Sequence, residues 1–370
     1  MMEKRYISVD FLRGFTVAGM ILVNNPGSWD FVYSPLLHAP WNGCTFADLI
    51  FPFFLFIMGI SVNFALQNKK NSFGKDRQKI IIKLIKRSAV LFLIGLFLNA
   101  FPYFELSSLR IPGVLQRIAI VFLACSVIYL YFGVRAQVTI FSVLLIGYYL
   151  LLTFVPVPDF GAANLEPATN LAAWVDRLLL DGHLWKFSKT WDPEGVLSTF
   201  PSIATGLSGV LAGSWLLSDR KPKDKIIYMF ISGFTLMVAG AIWGMFFPIN
   251  KSLWTSSYVL FTTGVAMNGL ALSVWFMDVK KYEKYATPFI AFGSNAIIAY
   301  VGSELLSRIF YEVSFTWAGQ QVTFKHWLYL LSQSLFESPY NASLLLSIGF
   351  VLLLLLPLYY MYRNRIIIKV

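Results

Sequence analysis

His38–Gly59 reads HAPWNGCTFADLIFPFFLFIMG, and this stretch decides the fold. From Phe46 onward it is an almost unbroken apolar run, long enough to enter the hydrocarbon core of a bilayer. The polar lead-in carries one of only three histidines in the chain, and Asp48 stands at the mouth of the run. An imidazole and a carboxylate at a membrane boundary are costly, so their presence there points to work being done.

The rest of the composition agrees with a membrane reading. The 370 residues are 57% hydrophobic, with a mean hydropathy of +0.64, 34 Phe and only 13% charged residues. A soluble globule carries about a quarter charged residues, so this class is excluded. Stretches of roughly 20 apolar residues fall near 10–26, 46–66, 83–101, 112–132, 136–156, 196–217, 225–247, 254–277, 285–307 and 342–362. The expected fold is therefore all-α: a polytopic integral membrane protein of about ten transmembrane helices, forming a single domain over residues 1–370.

Charge supplies the sidedness. NKKNSFGKDRQKIIIKLIKR, SDRKPKDK, DVKKYEKY and RNRIIIK fall in alternate gaps, and the positive-inside rule makes these segments cytoplasmic. With Lys4, Arg5, Arg13 and Arg135, that face holds 22 of the 30 basic residues, and an even helix number puts both termini inside. KHWLYLLSQSLF is too short and polar to span and reads as an interfacial helix on the outer face. The net charge of +11 lies in short runs between apolar segments, which makes it a topology signal and not a nucleic-acid footprint. Asp10 and Arg13 interrupt the first apolar stretch, so a retained signal anchor is expected and not a cleaved leader.

The outer face then carries the 27–45 loop, free of Lys and Arg, a short loop at 102–111, and a long extracytoplasmic segment at about 157–195. A loop of that length in a compact protein is usually functional. It holds Asp159, Glu166, Asp176, Asp181, Asp192 and Glu194 against Arg177, Lys186 and Lys189. Its Trp174, Trp185 and Trp191 suit either interfacial anchoring or stacking on carbohydrate.

Several residues could carry chemistry. His38 can serve as base or nucleophile if a carboxylate such as Asp48 fixes its tautomer, although Asp48 also suits a helix cap. Asp10 and Arg13, three apart, share a helix face and can pair. Asn24 and Asn25 end the first helix as caps or carbonyl-orienting amides. Arg110, Gln116 and Arg117 crowd the start of the fourth expected helix, where a guanidinium needs a partner or a wet cavity. Asp192 and Glu194 precede the sixth, Lys251, Trp254, Thr255, Ser257 and Tyr258 open the eighth, and Asn295 and Glu304 lie within the ninth. Together they suggest a polar cavity in the outer half of the membrane. Cys44 and Cys125 offer neither a disulfide framework nor a metal spacing, and His183 and His326 are isolated. No phosphate loop, nucleophile elbow or metal cluster is expected.

SVDFLRG, ILVNNPG, HAPWNGCTFADLIFPFFLFIMG, RIPGVLQRIA, TWDPEGVLSTFPSI and KSLWTSSYVL, in this order, resemble the bacterial branch of the heparan-α-glucosaminide N-acetyltransferase family. The resemblance runs from about Asp10 to the C-terminus, without the extra N-terminal lumenal part of the lysosomal enzyme. It implies a multi-pass protein of the bacterial inner membrane, in contact with membrane lipid and plausible as a homodimer. It also implies transfer of an acetyl group from cytosolic acetyl-CoA, without metal, to the amino group of a glucosamine-type or glycosaminoglycan-type sugar on the opposite face. His38 takes the position of the family's active-site histidine, with Asp48 its orienter and Asn24 a candidate oxyanion donor. Sugar contacts would come from Asp192, Glu194, Arg110, Arg117, Gln116, Lys251, Trp254, Ser257, Tyr258 and Asn295. Arg13, Lys83 and Arg87 offer charge for the coenzyme A phosphates. A transporter of an amino sugar, or an O-acyltransferase of a surface glycan, are the competing readings.

Overall fold

The structure, a computed structural model, describes residues 6–368. Thirteen helices, α1 to α13, and one small hairpin make up these residues. The helices are α1 (Ile7–Asn24), α2 (Phe46–Leu66), α3 (Gly74–Ala100), α4 (Val114–Tyr131), α5 (Val134–Phe154), α6 (Leu171–Leu180), α7 (Thr199–Leu216), α8 (Pro222–Gly244), α9 (Ser256–Ser273), α10 (Glu283–Ser294), α11 (Ala296–Glu312), α12 (Phe324–Gln333) and α13 (Pro339–Arg363). Strands β1 (Ser314–Trp317) and β2 (Gln320–Thr323) pair antiparallel across a turn at Ala318 and Gly319.

Every expected apolar stretch is helical. Seven helices among the described residues are long and apolar enough to cross a membrane, eight if α10 and α11 count as one bent span. The remaining two expected spans correspond to α3 and α7. α3 begins nine residues before its expected start and carries the basic run Lys75–Arg87 in its first half. α7 is rich in small and hydroxyl residues, including Ser202, Thr205, Gly206, Ser208 and Gly209.

The ninth expected span departs from a single helix. The chain breaks at Asn295 (φ −129°, ψ 46°), and α10 and α11 meet at 73°. The amide of Asn295 takes over where the helical ladder stops, donating to Ile366 O at 2.9 Å and accepting from Ile368 N at 3.0 Å. The side-chain amide of Asn295 thus ties the break to the C-terminal segment by satisfying backbone groups of Ile366 and Ile368. The 157–195 segment also differs from a plain loop, because α6 forms inside it, with Asn170 capping the helix by accepting from Ala173 N at 2.9 Å. KHWLYLLSQSLF forms the separate short helix α12, as expected, capped by Thr323 accepting from His326 N.

The chain packs as two compact units. One comprises the described residues up to Ala39, Thr45–Phe51 and the described residues from Ser273 onward; the other comprises Pro40–Cys44 and Pro52–Leu272. In the first, α1 lies along α10, with α11 and α13 also against it. The contact is close because glycines face each other: a Cβ at Gly14 would lie 1.6 Å from Phe289 O, and one at Gly293 would lie 1.9 Å from Asp10 O. In the second, α3 packs on α4, and α4 and α5 on α7. There the Gly59 of α2 approaches α7 so closely that a Cβ would meet Gly206 O at 2.0 Å. Small residues at such crossings are what lets helices associate in lipid, where the hydrophobic drive between them is absent.

Candidate functional site

His38 and Asp48 form a bonded pair in the first unit. His38 Nδ1 stands 2.8 Å from Asp48 Oδ1. The other carboxylate oxygen accepts from Ala39 N and Thr45 N, each at 3.0 Å. Thr45 Oγ1 lies 3.1 Å from that same oxygen and 2.6 Å from Leu37 O. Asp48 sits in the first turn of α2, where the helix dipole favours a negative charge. The local sequence explains the arrangement. A 3₁₀ turn at Ser34–Leu36 carries the chain toward His38, and the backbone then folds back so that residues 39 and 45 both point N–H groups at one carboxylate.

Exposure separates the roles of the two side chains. The Asp48 side chain is 1% exposed and His38 is 50% exposed. A buried carboxylate with this many donors stays an acceptor, so Nδ1 of His38 carries the proton and Nε2 carries the lone pair. That tautomer makes the half-exposed imidazole a base or a nucleophile. Asn24, the last residue of α1, is exposed, whereas its neighbour Asn25 is buried and donates to Ile21 O at 2.8 Å.

The second unit assembles most of the other expected residues. Arg110 holds Asp192 through two parallel hydrogen bonds, Nε to Oδ2 at 2.8 Å and Nη2 to Oδ1 at 2.6 Å, and Nη2 reaches Glu194 Oε2 at 2.5 Å. This bidentate geometry is specific to arginine. Burial works against the Arg110 charge, but its bonds to Asp192 and the charges of Glu194 and Asp192 outweigh it and raise its pKa.

Arg117, one turn into α4, is 1% exposed. Its Nη2 donates to Gly195 O at 3.2 Å and to Ser198 Oγ, and its guanidinium lies 5.1 Å from the Trp254 ring. Its Nε and Nη1 have no hydrogen-bond acceptor among the described residues. Trp254, in the left-handed region at φ +53°, donates from Nε1 to Thr205 Oγ1 at 3.0 Å and packs edge-on against Tyr258. Gln116 is 3% exposed and wedged against Gly95 and Gly113, its Nε2 without an acceptor among the described residues.

Not every expected contact residue is brought to this cluster. Ser257 is fully buried, and its hydroxyl serves the backbone at Phe247 O, 2.6 Å away. Lys251 is half-buried in the turn that leads to Trp254. Asn295 belongs to the first unit and engages the C-terminal segment. Arg13, also there, bonds Asp10 Oδ1 at 3.2 Å, as its spacing predicts, and Gly293 O at 3.0 Å at the end of α10. Lys83 and Arg87 are exposed on one face of α3, and Arg87 lies 5.0 Å from the Phe122 ring. Among the described residues no group of three His, Cys, Asp or Glu could hold a metal ion.

One residue that matters was not singled out from sequence. Asp176 of α6 accepts from Asp192 N at 3.1 Å and from Val196 N at 2.8 Å, so it shapes the WDPEG turn from behind. Gly195 has to be glycine, since a Cβ there would lie 2.2 Å from Asp176 Oδ2. Burial raises the Asp176 carboxyl to about 6, against the pull of those two N–H groups. The signal available was an aspartate, followed by Arg177, inside the otherwise apolar run LAAWVDRLLL.

An all-α chain with this many apolar spanning helices is a polytopic membrane protein. A family described as heparan-alpha-glucosaminide N-acetyltransferase, catalytic, matches residues 5–178. Two curated relatives, the heparan-alpha-glucosaminide N-acetyltransferases of Mus musculus and Homo sapiens, are each 31% identical, over 356 and 360 residues. The alignments cover 82% and 83% of this chain and 54% of each relative, so the chain spans about half the length of the curated relatives it matches. The chain is a homologue of heparan-alpha-glucosaminide N-acetyltransferase.

Proposed function

We propose that this protein transfers the acetyl group of acetyl-CoA across a bacterial cytoplasmic membrane to the amino group of a glucosamine-type sugar. The observation that carries the reading is the His38–Asp48 pair, a half-exposed imidazole bonded to a buried carboxylate at 2.8 Å. The relatives' names supply the reaction class, and His38 lies inside the matched residues 5–178.

A thioester is already an activated acyl donor, so positioning, a base and a carbonyl-polarising donor suffice. His38 Nε2 accepts the proton of the attacking amine as the N–C bond forms and the coenzyme A thiolate leaves. In the two-step variant Nε2 itself attacks the thioester carbonyl and expels the coenzyme A thiolate, and the amine then displaces the imidazole, whose freed Nε2 takes up the amine proton. Asp48 holds the tautomer in both. Asn24 is a candidate donor to the developing oxyanion. Ten spanning helices with both termini cytoplasmic would put the exposed face of α3, with Lys83 and Arg87, on the acetyl-CoA side, and Arg13 near the same boundary. Arg110, Asp192, Glu194 and their neighbours Gln116, Arg117, Trp254 and Tyr258 would meet the sugar. A homodimer fits this reading.

The test gives purified protein acetyl-CoA and a panel of amino sugars, comparing wild type with His38→Ala. Sugar-dependent release of coenzyme A that disappears in the variant is expected. Release that ignores both the sugar and His38 sinks the proposal. One observation favours a transporter instead, namely the helix broken at Asn295, since discontinuous helices build substrate sites in secondary transporters. Counterflow of labelled glucosamine in proteoliposomes without acetyl-CoA would decide for that reading.

A further inference from the structure

α3 presents two faces of different character. Its buried residues, Leu84, Ser88, Leu91, Gly95 and Leu98, recur at helical spacing on the side that meets α4. Ser88 Oγ donates to Ala119 O of α4 at 2.8 Å, and Gly95 lies against Gln116. On the opposite side an exposed line runs along the helix in steps of three, four and seven residues. Lys75, Lys79 and Lys86 make its first half, and Val90, Leu93 and Phe97 its second. Leu93 is 62% exposed, so the apolar half of the line faces acyl chains.

The same line places Lys86 at a costly depth. The 27 residues of α3 measure about 40 Å, against about 30 Å for the hydrocarbon core. With Ala100 at one boundary, about 20 residues fill the core, and the other boundary falls near Ile80. Lys75 and Lys79 then lie among the headgroups, while Lys86 stands about 9 Å inside the boundary on the lipid side. A cation at that depth needs an anion at the end of its outstretched stem. Among the described residues the protein offers none: Lys75 and Lys86 make no ion pair, and Lys79 meets only Asp76, at 3.6 Å with both side chains in water. Lys83 and Arg87 are distinct from this line. They lie about 60–100° further round the helix, toward α4, where Arg87 stands 5.0 Å from the Phe122 ring.

We infer that this line is a docking site for an anionic phospholipid headgroup, with the lipid's acyl chains along Val90, Leu93 and Phe97. This rests on α3 spanning the membrane, as in the ten-helix reading above, and not on acetyl transfer. A zwitterionic headgroup brings its own cation, which three lysines repel, whereas an anionic one leaves its phosphate free to pair with them. Each lysine near the surface adds about fivefold to the preference for anionic lipid, so the three together favour it by up to about 100-fold.

The experiment offers purified protein in detergent an equal mixture of phosphatidylglycerol and phosphatidylcholine and counts the lipids it retains by native mass spectrometry. Wild type is expected to retain phosphatidylglycerol at least about tenfold over phosphatidylcholine, and the triple variant Lys75→Gln, Lys79→Gln and Lys86→Gln to lose most of that preference. Arginine at the same three positions keeps the charge and should restore it. Glutamine at three exposed lysines elsewhere, Lys221, Lys223 and Lys284, should leave it intact. Equal retention of the two lipids by wild type overturns the inference, as does a preference that survives the triple glutamine variant. Retention of neither assigns the face to a second copy of the chain and overturns it too. Displacement of phosphatidylglycerol by coenzyme A, with a raised KM for acetyl-CoA in the triple variant, gives the lysines to the cofactor instead. If the triple variant does not fold, Lys86→Gln alone and the wild-type comparison decide. The spanning role is tested apart: in a Cys44→Ser background, Leu93→Cys should resist a water-soluble maleimide in membranes, and labelling there removes the ten-helix reading together with the inference.

Discussion

Asp48→Asn isolates what the buried carboxylate does for His38. The substitution keeps shape and volume but replaces one acceptor oxygen by an NH₂ group. In the native arrangement Oδ1 faces His38 Nδ1, while Oδ2 faces the N–H groups of Ala39 and Thr45. An amide placed with its oxygen toward the two backbone donors turns its NH₂ toward His38. Nδ1 must then accept, the proton moves to Nε2, and the base is lost. The flipped amide keeps the tautomer but points a donor at two donors, leaving buried N–H groups unmet at about 1–3 kcal/mol each. The first orientation is cheaper, so the folded variant carries the wrong tautomer. General-base catalysis is worth about 10²–10⁴-fold, and the expected loss in kcat is of that order, with KM for acetyl-CoA within about twofold. The assay is coenzyme A thiol release with glucosamine, run beside thermal unfolding in the same detergent. Asp48→Ala would confuse the issue, because it strands the Ala39 and Thr45 N–H groups along with His38. Wild-type kcat in a normally folded Asp48→Asn protein would mean that His38 does not depend on the carboxylate for its tautomer.

Other perturbations test the frame around the sites. Gly14→Ala places a methyl 1.6 Å from Phe289 O, so α1 and α10 must separate; this should cost at least about 2–3 kcal/mol and show as a loss of monodisperse protein on size exclusion. Arg110→Ala leaves a fully buried Asp192 carboxylate without its cation, a change worth about 3–5 kcal/mol; Arg110→Lys should recover only part of the unfolding temperature, since lysine lacks the paired donors. Asp176 has a pH signature: its folded carboxyl is raised to about 6 from 3.8, so the folded state holds the proton more tightly, and its contribution to stability is present below the unfolded value and is lost as pH rises through about 6. Asp176→Asn should flatten the fall in unfolding temperature between pH 4 and pH 6, and an unchanged slope would remove Asp176 as its source.

Much of this architecture is legible in sequence because apolar length is a strong signal in a bilayer. α1, α2, α4, α5, α8 and α13 sit within a few residues of their expected spans for that reason. The break at Asn295 is not legible locally because the partners of its side-chain amide, Ile366 and Ile368, lie about 70 residues on. α6 was missed inside a polar segment, where its start depends on the Asn170 cap and not on a long apolar run. At the candidate sites, His38 and Asp48 were visible as costly residues at a boundary. Their bonding is offered by the residues only as one option beside a helix cap, because ten residues of loop leave their orientation open, and it is the family resemblance that names Asp48 the orienter. Asp192 and Glu194 are readable as charges at a helix mouth, but their partner Arg110 lies about 80 residues away, and Asp176 behind them shows only as a charge within an apolar run, with nothing to tie it to the WDPEG turn.

The meeting of Gly14 with Gly293 also sets a timetable for making the protein. α1 leaves the ribosome 279 residues ahead of the glycine of α10 that it packs against. At the usual synthesis rate of about 5–20 residues per second, α1 waits on the order of 15–55 s for α10. Through that interval Asp10, Arg13 and a bare glycine face stay in the bilayer without the neighbour that will cover them. Pro52–Leu272, by contrast, is made in one stretch and has all its helices before α10 exists. Biogenesis therefore runs from the middle of the chain outward, and the unit holding His38 and Asp48 is closed last, by its own C-terminal helices.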